Sequence, residues 1–291
     1  MLDPASFLLI TLDSCRFDTF HDAHVPNLKA VGPLHRAMAP GYFTYASHQA
    51  MFVGFTPGDS LAREPFLNPR QGKFFRMVGG GRQHPRDYIV LEGANIIQGL
   101  ARLGYLTLGT GAVGWFNPAT PTGRALIGDF DRYFYPGNTY SLPQQIAWVE
   151  QRLREAHSRR VFLFINVGET HVPYYHQGAA WPPEQNPCLN LNPNNTNDTA
   201  RCRLQQRACL EFADRQLAPI LERFRQANIL ICADHGDCWG EDDLWAHGFH
   251  HPKVLEVPLV FRLGESPAPP GADRRPLWRR WASHLKRALT S

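Results

Sequence analysis

Three short apolar runs in this chain end on residues able to bind a cation. FLLITL (Phe7–Leu12) is followed by Asp13, ILICA runs straight into Asp234 and His235, and VFLFINV leads to Glu169 and His171. In open parallel sheets, ligands bind beyond the carboxyl ends of the strands. The three runs would therefore bring carboxylates and imidazoles to one edge. Oxygen and nitrogen donors of this kind suit a divalent metal and need no thiolate. One or two ions are expected, zinc first, with manganese or calcium as alternatives.

A metal alone does not define a reaction; a nucleophile does. The segment GYFTYASHQAMFVGFTP places Thr44 after a glycine-containing turn and before a helical stretch, Ala46–Val53. A hydroxyl at a helix N-terminus meets unpaired N–H groups and the positive end of the dipole, which favours an alkoxide or a bound phosphate. Taken alone, Thr44 reads as an N-cap. A neighbouring cation changes that reading, because it can make the hydroxyl nucleophilic near neutral pH.

These segments resemble the sulfatase-like, alkaline-phosphatase superfamily. T-Y-A-S-H (Thr44 to His48) occupies the place of the sulfatase motif C-x-P-S-R, and Gly54 and Pro57 follow as in its T-G-x-x-P continuation. Thr at the catalytic position is similar to phosphoethanolamine transferases, lipoteichoic acid synthases and nucleotide pyrophosphatases. Sulfatases need a Cys or Ser that becomes formylglycine, so sulfate-ester chemistry is disfavoured. ADHGDCWGEDDLWAHG resembles the transferase block D-H-G-E-x-x-G-E…H-G, with E-V-P-L (Glu256 to Leu259) after it. GETHVPYY is similar to G-S-H-x-P-x-Y, ITLDSCRFD to L-D-S-x-R-x-D, and EFADRQLAPIL around Asp214 to the helix before the last metal strand.

The resemblance implies that Asp13, Thr44, Asp234 and His235 bind the main metal. It also puts His171 and His247 on a second metal or on the substrate's phosphoryl oxygens, with Thr44, His171 and His247 as the catalytic set. The reaction implied is phosphoryl transfer from a small anionic phosphoester or phosphonate, through phospho-Thr44, to water or an alcohol. Two departures stand out: Ser14 replaces the second Asp of true sulfatases, and His48 replaces the motif Arg. A phosphomutase-type isomerase and a non-catalytic binding protein of the same fold are the alternatives. Isomerases of this kind carry a large cap domain, for which the length leaves little room.

The elements needed to position these residues follow from periodicity. Strands are expected at Phe7–Leu12, Tyr105–Gly109, Val161–Asn166, Ile229–Ala233 and Pro258–Arg262, and helices at Glu92–Leu103, Leu142–His157 and Arg203–Arg225. Such alternation predicts a three-layer α/β/α sandwich with a mostly parallel central sheet, alkaline-phosphatase-like. Residues 1–291 read as one catalytic domain, with loop insertions around 58–90 and 178–201.

Composition sets the outer bounds. With 43% hydrophobic and 19% charged residues, the chain can bury a sizeable core and is not disorder-like. A net charge of +4 suits an anionic substrate but is too diffuse to argue for nucleic acid. The opening apolar run is too short to span a bilayer and has no basic flank. A soluble, cytoplasmic protein with six reduced cysteines is expected, with the Asn194 and Asn197 sequons unused and no signal for oligomeric state.

Several features read more simply as structure. His250 and His251 are expected at the surface and Cys15 in the core. Cys188, Cys202 and Cys209 are too unevenly spaced for a zinc site. Lys73, Arg82, His84 and Arg86 make either an anion clamp or a solvated loop face. Leu277, Trp281, Leu285 and Leu289 give the basic C-terminal segment an amphipathic helical face, expected to dock on the domain rather than on a membrane.

Overall fold

The computed structural model describes residues 2–54, 94–156, 159–191, 194 and 196–264. The expectations for 58–90 and for the C-terminal helix lie outside these residues. So do Pro57 and the expected helix start at Glu92.

A seven-stranded sheet runs through the described residues, built from β1 (Phe7–Leu12), β2 (Leu34–Met38), β3 (Leu106–Gly111), β4 (Arg132–Phe134), β5 (Val161–Val167), β6 (Asn228–Ala233) and β9 (Glu256–Arg262), while β7 (Cys238–Trp239) and β8 (Trp245–Ala246) form a separate two-stranded sheet. The order is β2-β9-β6-β1-β5-β3-β4. The five strands β6, β1, β5, β3 and β4 pair in parallel, and β9 joins β6 antiparallel. This is the mostly parallel α/β sheet expected, with an antiparallel edge. Two strands of this seven-stranded sheet had no clear sequence signal. β2 carries His35 and Arg36 on an exposed edge, and β4 is three residues long.

Alternation along the central strands creates the two layers of core. Leu8, Ile10 and Leu12 of β1, with Leu163 and Ile165 of β5, face one cluster, while Phe162 and Phe164 face another. The first cluster is covered by α1 (Phe17–Asp22), α2 (Pro26–Lys29), α6 (Leu142–Glu155) and α7 (Thr199–Arg223). The second is covered by α3 (Thr44–Val53), α4 (Ile96–Arg102) and α5 (Pro121–Ile127). A short α8 (Pro252–Leu255) leads into β9. Burial of both sheet faces explains why β1 and β5 read as continuous apolar runs.

Some boundaries differ from expectation for local reasons. α7 starts at Thr199, inside the expected 178–201 loop, because Asp198 caps it by accepting from Arg201 N. α4 starts at Ile96, where Asn95 accepts from Gln98 N. Asp214, matched above only by resemblance, has a structural task. It accepts from Leu28 N at 2.8 Å and from Asn27 Nδ2 at 2.7 Å, fastening α2 to α7.

Candidate metal and nucleophile site

The register of the central strands builds the site. Leu12 pairs with Ala233 on one side and Val167 on the other, so Asp13 and Asp234 leave the sheet side by side. Ser14 then turns at a φ of 59° and donates its N–H to Asp234 Oδ1 at 3.1 Å. Such a conformation is costly for a residue with a Cβ and collects at functional sites. Gln206 on α7 steadies the turn, with its Nε2 donating to Ser14 O and Thr170 O.

Thr44 arrives from the other layer. Gly41 makes the tight approach possible, since a Cβ there would sit 2.7 Å from Ser47 N. α3 begins at Thr44 itself, two residues earlier than expected, with Phe43 as N-cap. Thr44 is therefore a first-turn residue and not the cap. Ser47 Oγ donates to Asp234 O at 2.6 Å, fastening this helix end to the end of β6.

Asp13, Asp234 and His235 are fully buried and Thr44 is 1% exposed. Thr44 Oγ1 lies 3.5 Å from Asp13 Oδ1, 3.4 Å from Asp13 Oδ2 and 3.4 Å from His235 Nε2. His235 Nε2 is 3.7 Å from Asp13 Oδ1 and 3.6 Å from Asp234 Oδ2. These separations are long for hydrogen bonds. They match the edges of a tetrahedron of ligands around zinc, about 3.3 Å for metal–ligand bonds of about 2.0–2.1 Å. His235 Nδ1 is committed to Gly236 O at 3.0 Å, which leaves the Nε2 lone pair facing the carboxylates.

Electrostatics agree with a cation at this point. Asp234 Oδ2 is buried without a hydrogen-bond partner, whereas Oδ1 accepts from the Ser14 and His235 N–H groups. Burial and the adjacent Asp13 push the Asp234 carboxyl well above its ordinary range. Burial, with His247 next, pulls the His235 imidazole well below its own. A divalent ion would oppose the first trend by favouring the carboxylate, and it would reinforce the second, since it needs the neutral imidazole as a ligand. The residues present therefore fit a divalent metal.

A second group, His235, Asp237 and His247, also has its ligand atoms within 4.8 Å of one another. The His247 ring lies 4.2 Å from that of His235 and 5.2 Å from that of His171. His171 Nδ1 is committed to Val172 O at 2.8 Å, and His247 Nδ1 to Asp237 Oδ1 at 2.7 Å. Both are half-buried and stand at the rim of the buried ligand set. All six residues singled out in the sequence thus lie around one centre.

Other residues fall elsewhere. His250 is exposed as expected, but His251 is buried: its Nδ1 accepts from Lys253 N and faces Cys238 Sγ at 3.0 Å. Its place as the cap of α8 explains the difference. All six cysteines are free and buried. Among the described residues, no group of three metal-capable ligands includes a cysteine. Sequence reading missed Asp237, Gln206 and Asn166. Asp237 alone had a signal, as the acid in the D-H-G-E block.

No family model and no curated sequence matches the chain. Solved structures do. The C-terminal periplasmic domain of phosphoethanolamine transferase EptC from Campylobacter jejuni aligns with a TM-score of 0.60 at 13% identity, over 90% of this chain and 80% of that one. The corresponding EptC domain from Escherichia coli, solved in complex with zinc, gives 0.58 at 12% identity over 91% and 74%. An alkaline phosphatase superfamily protein from Vibrio parahaemolyticus gives 0.53 at 14% identity, over 90% and 61%. At these identities the likeness shows the fold. It is alkaline-phosphatase-like, as the motifs led one to expect.

Proposed function

We propose that this alkaline-phosphatase-like chain is a metal-dependent phosphoryl-transfer enzyme that uses Thr44 to attack small anionic phosphoesters or phosphonates. The observation that carries the reading is the Thr44 hydroxyl, held at a helix N-terminus about as far from Asp13 and His235 as two ligands of one ion stand apart. Asp13, Thr44, Asp234 and His235 would hold the main ion. His247 and His171, with Asp237 behind His247, would face the substrate or hold a second one.

A divalent ion held by these residues would supply Lewis acidity, making the Thr44 hydroxyl easier to deprotonate and offsetting charge on the phosphoryl group. The protein's own residues position the rest. The first-turn N–H groups of α3 face a transferring anion. Thr44 Oγ1 forms the new O–P bond in line as the ester O–P bond breaks, giving phospho-Thr44 and an alcohol. The proton that Thr44 gives up passes to Nε2 of His171 or His247, the two imidazoles at the rim, and from there to the departing oxygen. Attack by water or an acceptor alcohol on phospho-Thr44 then returns the hydroxyl.

An ester panel with added zinc or manganese tests this reading. Turnover of phosphate or phosphonate esters, lost with Asp234→Ala, supports it. Turnover of sulfate esters alone, or activity indifferent to chelation and to Asp234→Ala, contradicts it.

A further inference from the structure

Three buried polar side chains lie on the aromatic side of the sheet, where apolar groups would pack as well. Thr11, His48 and Asn166 are each fully buried. His48 sits edge-on to Phe116 at 5.0 Å and Phe164 at 5.5 Å. That surrounding pulls its imidazole down to about 4. Polar groups in such a place cost free energy unless they are satisfied, and these three satisfy one another in a single order.

His48 Nδ1 lies 2.7 Å from Thr44 O. A carbonyl only accepts, so Nδ1 carries the proton. Nε2 of the neutral ring then accepts from the Thr11 hydroxyl at 2.9 Å. Thr11 Oγ1 accepts in turn from Asn166 Nδ2 at 3.2 Å, and the same amide nitrogen donates to Asp13 Oδ2 at 3.3 Å. Asn166 Oδ1 accepts from Ala112 N at 3.4 Å, which sets the amide's orientation. One end of the chain is the backbone of Thr44 and the other is the carboxylate of Asp13.

We infer that His48, Thr11 and Asn166 are positioning residues that fix the separation of Asp13 and Thr44. The inference rests on the metal reading above and deepens it. The chain tethers Asp13 through Oδ2, while Oδ1 is the oxygen 3.7 Å from His235 Nε2. It also joins the two layers: Asp13 follows a strand, Thr44 opens a helix, and no other side chain in this chain of bonds belongs to the ligand set. His48 stands on the nucleophile's own helix, where the resembled motif has Arg, and the bond that ties this helix to β1 is the one from the Thr11 hydroxyl to His48 Nε2. Partners of this kind that orient ligands typically govern about 10- to 100-fold in metal affinity or activity.

The test uses the purified full chain and zinc itself, with affinity read by competition against a chromogenic chelator. Thr11→Val keeps shape and strand preference but removes the hydroxyl, whereas Thr11→Ser keeps the hydroxyl. His48→Phe is a second variant suited to the aromatic surroundings. Zinc affinity should fall about tenfold in Thr11→Val and in His48→Phe, with kcat falling more than KM changes. Thr11→Ser should stay near the wild type. If the wild type binds zinc and both disrupting variants bind it equally well, this inference is wrong and the metal reading stands. If Thr11→Ser is as weak as Thr11→Val, packing and not the hydroxyl is responsible, and the inference is again wrong. A wild type with no affinity for zinc would overturn both.

Discussion

Asp237 Oδ1 accepts from His247 Nδ1 at 2.7 Å, a buried carboxylate holding an imidazole at the rim of the site. The second oxygen of Asp237 accepts from Tyr174 OH at 2.7 Å, and Trp239 Nε1 donates to that same hydroxyl at 2.8 Å. Tyr174 adopts a φ of 59°, unusual for a bulky side chain, so its placement is maintained by the surrounding structure. The arrangement fixes the His247 tautomer and presents Nε2 to the site.

Asp237→Asn should therefore lower turnover about 10- to 100-fold while leaving the fold intact. Tyr174→Phe should cost less, because His247 keeps its carboxylate. Steady-state kinetics with circular dichroism on both variants checks this. Equal activity of Asp237→Asn and wild type would remove His247 from the mechanism.

Arg16 supports the same region from beneath. Its buried guanidinium donates to Asp18, to Glu241 and to Asp237 O, and lies 4.1 Å over the Trp239 ring. Removing one partner from a buried ion pair costs about 3–5 kcal/mol. Arg16→Met should approach the lower end of that range, since Asp18 and Glu241 are partly exposed and can recover water. Chemical denaturation measures the loss.

Glu169 gives a pH signature. Its Oε1 accepts from Leu142 N at 2.8 Å, its Oε2 is buried without a partner, and burial pushes its carboxyl up to about 7. The folded state therefore holds a proton that the unfolded chain has already released. Stability from this group is greatest below the unfolded value, near 4.5, and is lost as pH rises toward 7. At about 1.4 kcal/mol per pKa unit the effect amounts to a few kcal/mol. Glu169→Gln should flatten the profile over that window in denaturation curves taken across pH. An unchanged slope would assign it to other groups.

The legible parts of this protein were those where chemistry and pattern coincide. Buried strands such as FLLITL and VFLFINV announce themselves because both faces are covered, and the residues directly after them inherit a position at the sheet edge. Thr44 was legible from its helix-opening context, although the helix starts two residues before the apolar pattern does. Less visible were residues whose role depends on partners distant in sequence. Gln206 holds Ser14 across 192 positions, and Asn166 reaches Asp13 across 153. The antiparallel approach of β9 was equally hidden, because strand direction depends on the path of the chain and not on its periodicity.

The central claim is that Thr44 forms a covalent phosphoryl intermediate. Thr44→Ala should abolish phosphoester turnover with the fold retained and some zinc binding preserved by Asp13, Asp234 and His235, and Thr44→Ser should keep part of the rate. Since Phe43 and not Thr44 is the N-cap, the stability change in Thr44→Ala should stay below the ~1 kcal/mol typical of a lost cap. The most direct measurement is mass spectrometry of wild-type enzyme quenched during turnover. It should find one phosphoryl group on the peptide containing Thr44 and none in Thr44→Ala. Turnover at a normal rate in Thr44→Ala, or an active wild type whose phosphoryl adduct lies on another residue, would contradict the account.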